Sequence, residues 1–189
     1  MFTRIARDAT FHDAGHGFDV FGLSPPALAN VVDWCDRYLR VSSQGIEHVP
    51  SHGAAILVGG THPLDLATLC LDVLRRLDPP RIPRPIADRA PPVIATLFSR
   101  IGVVSGTPAN LRHLLEHAEL VAMTIDRVAT AAEHAIRHCT PVIPVAMQRH
   151  RLRYGEPMLP HATPSDANDP AAVIGFAERI RQALARSSP

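Results

Sequence analysis

Three short, almost purely apolar runs constrain this chain more than anything else in it: Ala55 to Gly59, Leu120 to Ile125 and Pro141 to Met147. An apolar run of this length with no alternation reads as a strand covered on both faces. The first two pass directly into a different rhythm. Leu66, Leu69, Cys70, Val73, Leu74 and Leu77 recur at three and four residues after the first run, and residues 127–138 follow the second as a further helix. Strand followed at once by helix, repeated, builds a parallel sheet with helices on both faces.

The remaining segments fill in this plan. Ser24 before Pro25 and Pro26 predicts a capped helix entry, with Leu28, Val31, Val32, Cys35 and Leu39 on one face. Arg40 to Pro50 reads as a first strand and Arg84 to Ala87 as a third. Pro91 and Pro92 open a helix through Val93, Ile94, Leu97, Phe98 and Ile101. Ile101 to Val104 is a short apolar strand, and Thr107 and Pro108 cap a helix over Asn110 to His117. His150 to Met158 adds an edge strand, and Asp169 to Arg186 a closing amphipathic helix. The expectation is one α/β domain over residues 23–186, with a central mixed, mostly parallel sheet flanked by helices, behind an irregular arm of residues 1–22. The arm holds Phe2, Phe11, Phe18 and Phe21. Exposed phenylalanines would suit a partner or a membrane surface, but the plainer expectation is that the arm folds back on the core.

Composition narrows the functional classes. With 19 basic against 18 acidic side chains the net charge is +1, which argues against nucleic acid as a partner. Cys35, Cys70 and Cys139 form no Cys-x-x-Cys pair, so the sequence points to neither a disulfide framework nor a zinc knuckle, and to a reducing cytoplasm. No stretch reaches the roughly 18 apolar residues of a membrane span, and the N-terminus lacks a signal-peptide layout. There is no Gly-x-Gly-x-x-Gly, Walker A loop or Gly-x-Ser-x-Gly elbow.

The chemistry concentrates where the first apolar run ends, in Gly59-Gly60-Thr61-His62-Pro63-Leu64-Asp65. A histidine can take a proton from an alcohol, and a carboxylate on its other ring nitrogen would fix the tautomer and stabilise the imidazolium. His62 and Asp65 are three apart, so on a helix starting near His62 they share a face. The same spacing also makes an N-terminal helix cap, which is the commoner use of such a pair.

The order of segments resembles a family. Phe18-Asp-Val-Phe-Gly-Leu-Ser-Pro25, Gln44-Gly-Ile-Glu-His-Val-Pro50 and Ile56-Leu-Val-Gly-Gly-Thr-His-Pro-Leu-Asp65 look like the opening half of the phospholipid/glycerol acyltransferases. Ile101-Gly-Val-Val-Ser-Gly-Thr-Pro108, Glu119-Leu-Val-Ala-Met123 and Pro141-Val-Ile-Pro-Val-Ala146 follow in that family's order. The resemblance implies a lysophospholipid acyltransferase-like fold, with His62 as general base and Asp65 as its orienting partner. The donor would be an acyl thioester of coenzyme A or acyl carrier protein and the acceptor a glycerolipid hydroxyl, with no further cofactor. Backbone amides around Gly59, Gly60 and Thr61, or at the start of the next helix, would meet the oxyanion. It implies a cytoplasmic protein that touches the membrane peripherally.

Two features depart from the family pattern. Only Pro63 and Leu64 separate His62 from Asp65, where the family places four residues. Where the family has Phe-Pro-Glu-Gly and then an arginine, this chain reads Met123-Thr-Ile-Asp-Arg127. Arg127 is then the residue left to meet an anion at a helix N-terminus, against the plainer reading of a solvated arginine. The alternative function is a catalytically impaired protein of the same fold that binds a lipid or a partner. The pairs His113/His117 and His134/His138 lack a third ligand with telling spacing, so no metal is expected. Arg149, Arg151 and Arg153 alternate on the expected edge strand, suited to an anion or to a solvated edge.

Overall fold

The computed structural model describes residues 19–38, 41–87, 99–148 and 151–187. Its elements run α1 (Pro25–Tyr38), β1 (Ser42–Gln44), β2 (Ala55–Gly59), α2 (Pro63–Arg76), β3 (Arg84–Ala87), β4 (Val104–Ser105), α3 (Pro108–Glu116), β5 (Leu120–Met123), α4 (Val128–His138), β6 (Val142–Gln148), β7 (Arg151–Tyr154) and α5 (Pro170–Ser187). Short 3-10 turns at Ile46–His48, Ile125–Arg127 and Pro164–Asn168 complete the order. The helix expected from Pro91, the phenylalanines Phe2, Phe11 and Phe18, and Arg149 lie outside the described residues.

The strands form one seven-stranded mixed sheet in the order β1-β7-β6-β2-β5-β3-β4. Strands β6, β2, β5, β3 and β4 are parallel. β7 is antiparallel to β6, and β1 is parallel to β7. The three apolar runs therefore become adjacent central strands, β6, β2 and β5, and β2 is buried at every residue. Their alternate residues divide the core in two. Ile56 and Val58 face a cluster with Leu111, Leu114, Ala131, Ala135, Phe176 and Ile180 from α3, α4 and α5. Ala55 and Leu57 face Leu66, Leu69 and Val73 of α2. Fully burying each such side chain stabilises the fold by roughly 1.5–3 kcal/mol before the entropy of ordering it is subtracted.

Some expected elements differ in extent and place. Of the segment from Arg40 to Pro50, the described residues 41–50 supply the three residues of β1 before a 3-10 turn, and the strand expected at Ile101 begins at Val104. The segment read as an edge strand is instead interior, because β1 adds along its outer side with Ser42 opposite Arg151 and Gln44 opposite Arg153. Arg151 and Arg153 do share an exposed face, while Leu152 and Tyr154 turn into the core.

At the arm's end, Asp19 accepts hydrogen bonds from the amides of Phe21 and Leu23, and Phe21 packs on the core with its ring edge-on to His113. The buried Arg84 of β3 pairs with Asp19 and lies 3.6 Å from Glu119. Among the described residues no helix is long and apolar enough to cross a membrane.

Candidate active site at the carboxyl edge of the sheet

From β2 the chain passes through α2 beyond β5 to reach β3, whereas from β5 it passes through α4 beyond β2 to reach β6. The two crossovers leave neighbouring strands in opposite lateral directions and onto opposite faces. A crevice opens at the carboxyl ends of parallel strands where this divergence occurs, and it is where open α/β sheets hold their ligands. Gly60 to Asp65 follow β2 and Thr124 to Arg127 follow β5, so both sequence-derived site segments lie at this point of divergence. The Ile125 amide donates to the Gly60 carbonyl at 3.0 Å and ties the two segments together.

Local chemistry explains how the first segment turns. Gly60 sits at φ +71°, and a side chain there would collide with the Cβ of Asp65. His62 has extended backbone as the N-cap of α2, and Pro63 takes the first helical position, where its missing N–H is no loss. Asp65 Oδ2 accepts from the Thr61 amide at 2.8 Å and the His62 amide at 3.1 Å. These are donors that a helix start would otherwise leave open, and the carboxylate also sits favourably at the positive end of the helix dipole.

This arrangement changes the role read for Asp65. No hydrogen bond joins the carboxylate to the imidazole; Asp65 instead fixes the backbone that carries His62. With two residues between them and Pro63 holding the turn, the shortened spacing brings the carboxylate back onto the chain rather than onto the ring. The Thr61 amide, an expected oxyanion donor, is likewise committed to Asp65. His62 itself is exposed.

Arg127 ends the 3-10 turn after β5, and its guanidinium lies over Gly106, where a side chain would meet Nη1. Burial lowers its pKa from the ordinary guanidinium value, yet the group stays charged at any ordinary pH. It stands on the β3–β4 side of the crevice, since Ile86 also approaches Gly106. His62 and Arg127 thus share the carboxyl edge and belong to different loops.

Beside His62 begins a feature that no sequence pattern announced. An apolar groove of about 140 Å³ runs along α2 past Pro63, Leu66, Ala67, Cys70, Leu71 and Leu74. Its opposite wall includes Leu28 of α1, Ile86 of β3 and Ile101. Residues 63 to 74 rise about 16 Å at 1.5 Å each, so the groove follows most of the helix away from the histidine. Burial pushes the Cys70 thiol up to about 12, which keeps it protonated and makes it apolar lining rather than a nucleophile.

The same helix is held by a buried polar pair that the sequence reading missed. Asp72, 2% exposed, accepts from the Tyr154 hydroxyl at 2.9 Å and from Arg76 Nε at 2.9 Å. Burial, then the Asp72 carboxylate, pushes the Tyr154 pKa up, so the hydroxyl remains a donor. The pair fixes α2, and with it His62, against β7. An aspartate among leucines at helical spacing was the available signal, but its partner lies 82 residues away.

Among the described residues no group of three metal-ligating side chains comes together. No family model matches the chain, and no curated protein or solved structure matches it either.

Proposed function

We propose that the protein is an acyltransferase-like enzyme that moves a fatty acyl group from a thioester of coenzyme A or acyl carrier protein to a hydroxyl of a glycerolipid or lysophospholipid. One observation supports this reading: an exposed histidine at the carboxyl end of the central strand immediately precedes Pro63, from which an apolar groove runs along α2. Water-facing base and chain-shaped apolar wall are the two parts that acyl transfer to an alcohol needs side by side.

In this mechanism the acyl chain lies along α2 and its thioester carbonyl sits near His62. The imidazole takes the proton of the acceptor hydroxyl as its oxygen attacks the carbonyl carbon. The tetrahedral oxyanion collapses with cleavage of the C–S bond, and the imidazolium returns the proton to the departing thiolate. Pro63 offers no N–H and the Thr61 amide is occupied, so Leu64 carries the first N–H within α2 available to face the oxyanion. Arg127 supplies positive charge at the same edge for a phosphate of donor or acceptor. The protein would act in the cytoplasm and meet lipid at a membrane surface without spanning it.

A lipid-binding reading without turnover is favoured by one observation, the commitment of Asp65 to backbone amides. The two separate cleanly. Purified protein with acyl-CoA and a panel of lysophospholipids and glycerol 3-phosphate is expected to yield acylated acceptor and an equal amount of free coenzyme A, read by mass spectrometry and thiol titration. Saturable fatty-acid binding with no acylated product would favour the non-catalytic reading.

A further inference from the structure

On α4 the core-facing line runs through Val128, Ala131, Ala132 and Ala135. His134 and His138, one turn apart, lie on the flank of that line. His134 is 4% exposed, and its Nδ1 is buried without a hydrogen-bond partner; Nε2 of His138 is buried and unpartnered too. The two rings are parallel within 1°, with centroids 5.9 Å apart. Unpaired buried polar atoms are uncommon enough to need a reason.

The charged groups around the pair define its behaviour. On α4 itself Glu133 and Arg137 are bonded to each other at 3.1 Å, and Arg137 also donates to Asn168 at 3.0 Å. From α3, Arg112 and Glu116 act on His138. The strands behind, β2 and β6, place Ile56, Val58 and Val142 in the core beneath α4; on α5, which also packs against α4, Glu178 and Arg181 pair with each other and Arg179 lies over Phe176. The histidines of α3 and its C-cap, His113 and His117, stack on each other, and His113 meets Phe21. No carboxylate is bonded to either ring of the pair, so a proton added to His134 Nδ1 or His138 Nε2 would be a buried donor with nothing to receive it. Charging both rings adds mutual repulsion across the stack.

We propose that His134 and His138 form an acid-released latch between α3 and α4: neutral rings pack the seam, and their protonation forces the side chains out and separates the two helices. Burial lowers both pKa values, outweighing the opposing pull of Glu133 on His134 and of Glu116 on His138. Each folded value therefore lies below the unfolded one near 6.5. The unfolded chain binds the protons first as pH falls, so the latch is intact above about 6.5 and weakens progressively below it. Release reaches the carboxyl edge, because α3 starts directly after Gly106 and Thr107 and α4 directly after Arg127. The latch stands independently of any catalytic role for His62.

Two measurements on the full chain test this. Hydrogen–deuterium exchange at pH 7.5 and 5.5, corrected for intrinsic rates, should show residues 108–138 losing protection by about tenfold at the lower pH while β2 and β6 change little. Ring-proton NMR of the wild-type chain should show His134 and His138 titrating below the ordinary 6.5, with no variant needed. Doubling His134→Gln with His138→Gln should remove the selective loss in exchange. Uniform exchange across the molecule, or both rings titrating near 6.5, overturns the latch.

Discussion

Two stretches of this chain, His62-Pro63-Leu64-Asp65 and Thr163-Pro164-Ser165-Asp166, adopt the same local structure at different places. In each, proline takes the first helical position and an aspartate three residues after the cap accepts the cap's own amide, at 3.1 Å for His62 and 2.8 Å for Thr163. The second stretch opens a 3-10 turn near the start of α5, on the surface, and uses Thr163, which also donates its hydroxyl to Asp166. The first opens α2 at the carboxyl end of the central strand and uses an exposed histidine as the cap. The difference teaches that the aspartate and proline of the His62 stretch are accounted for by capping alone. The histidine is exposed and directly precedes Pro63, where the groove lining begins.

Breaking the first stretch at its backbone should have the largest effect on stability. Gly60→Ala places a side chain at φ +71° against Asp65, and should lower unfolding free energy by about 1–3 kcal/mol in a denaturant titration. Asp65→Ala leaves the Thr61 and His62 amides without their acceptor and should destabilise by about 0.5–2 kcal/mol. Its activity should fall less than that of a His62 variant, since the carboxylate acts through the backbone; equal losses would restore the carboxylate–imidazole dyad. Tyr154→Phe removes one donor from buried Asp72 and leaves it Arg76, so it should cost about 0.5–1.5 kcal/mol by the same titration without changing the acyl preference. The smallest effect belongs to the second stretch. Backbone and hydroxyl hydrogen bonds from Thr163 hold the Asp166 pKa below its ordinary 3.8. Its contribution is therefore present above that value and lost as pH falls through the lowered one. Asp166→Asn should flatten thermal stability against pH in that acid window and leave acyl transfer unchanged.

Much of the fold is legible in residue order, because local patterns report local structure. The runs Ala55 to Gly59, Leu120 to Met123 and Val142 to Met147 are apolar throughout or nearly so, and they are the central strands. What is not legible depends on partners distant in sequence. β7 reads as an edge in the sequence because nothing in Arg151 to Tyr154 announces that Ser42 to Gln44 will pair beyond it. The groove beside Pro63 needs α1, α2 and β3 together. At the site, the position of His62 follows from strand, glycines and proline, whereas the direction of the Asp65 carboxylate does not. The pattern His-x-x-Asp is shared by a dyad and a cap, and only the backbone geometry at Gly60 and Pro63 separates them.

The central claim is that the side-chain chemistry of the first stretch belongs to its histidine, while its proline and aspartate hold the helix start. His62→Thr tests this most directly, since it gives that stretch the cap residue of the second, and threonine is itself a good N-cap. Rates of thioester cleavage dependent on an acceptor hydroxyl, measured beside the denaturation midpoint, should fall by about a hundredfold or more with the midpoint essentially unchanged. A variant that keeps the wild-type rate would contradict the account.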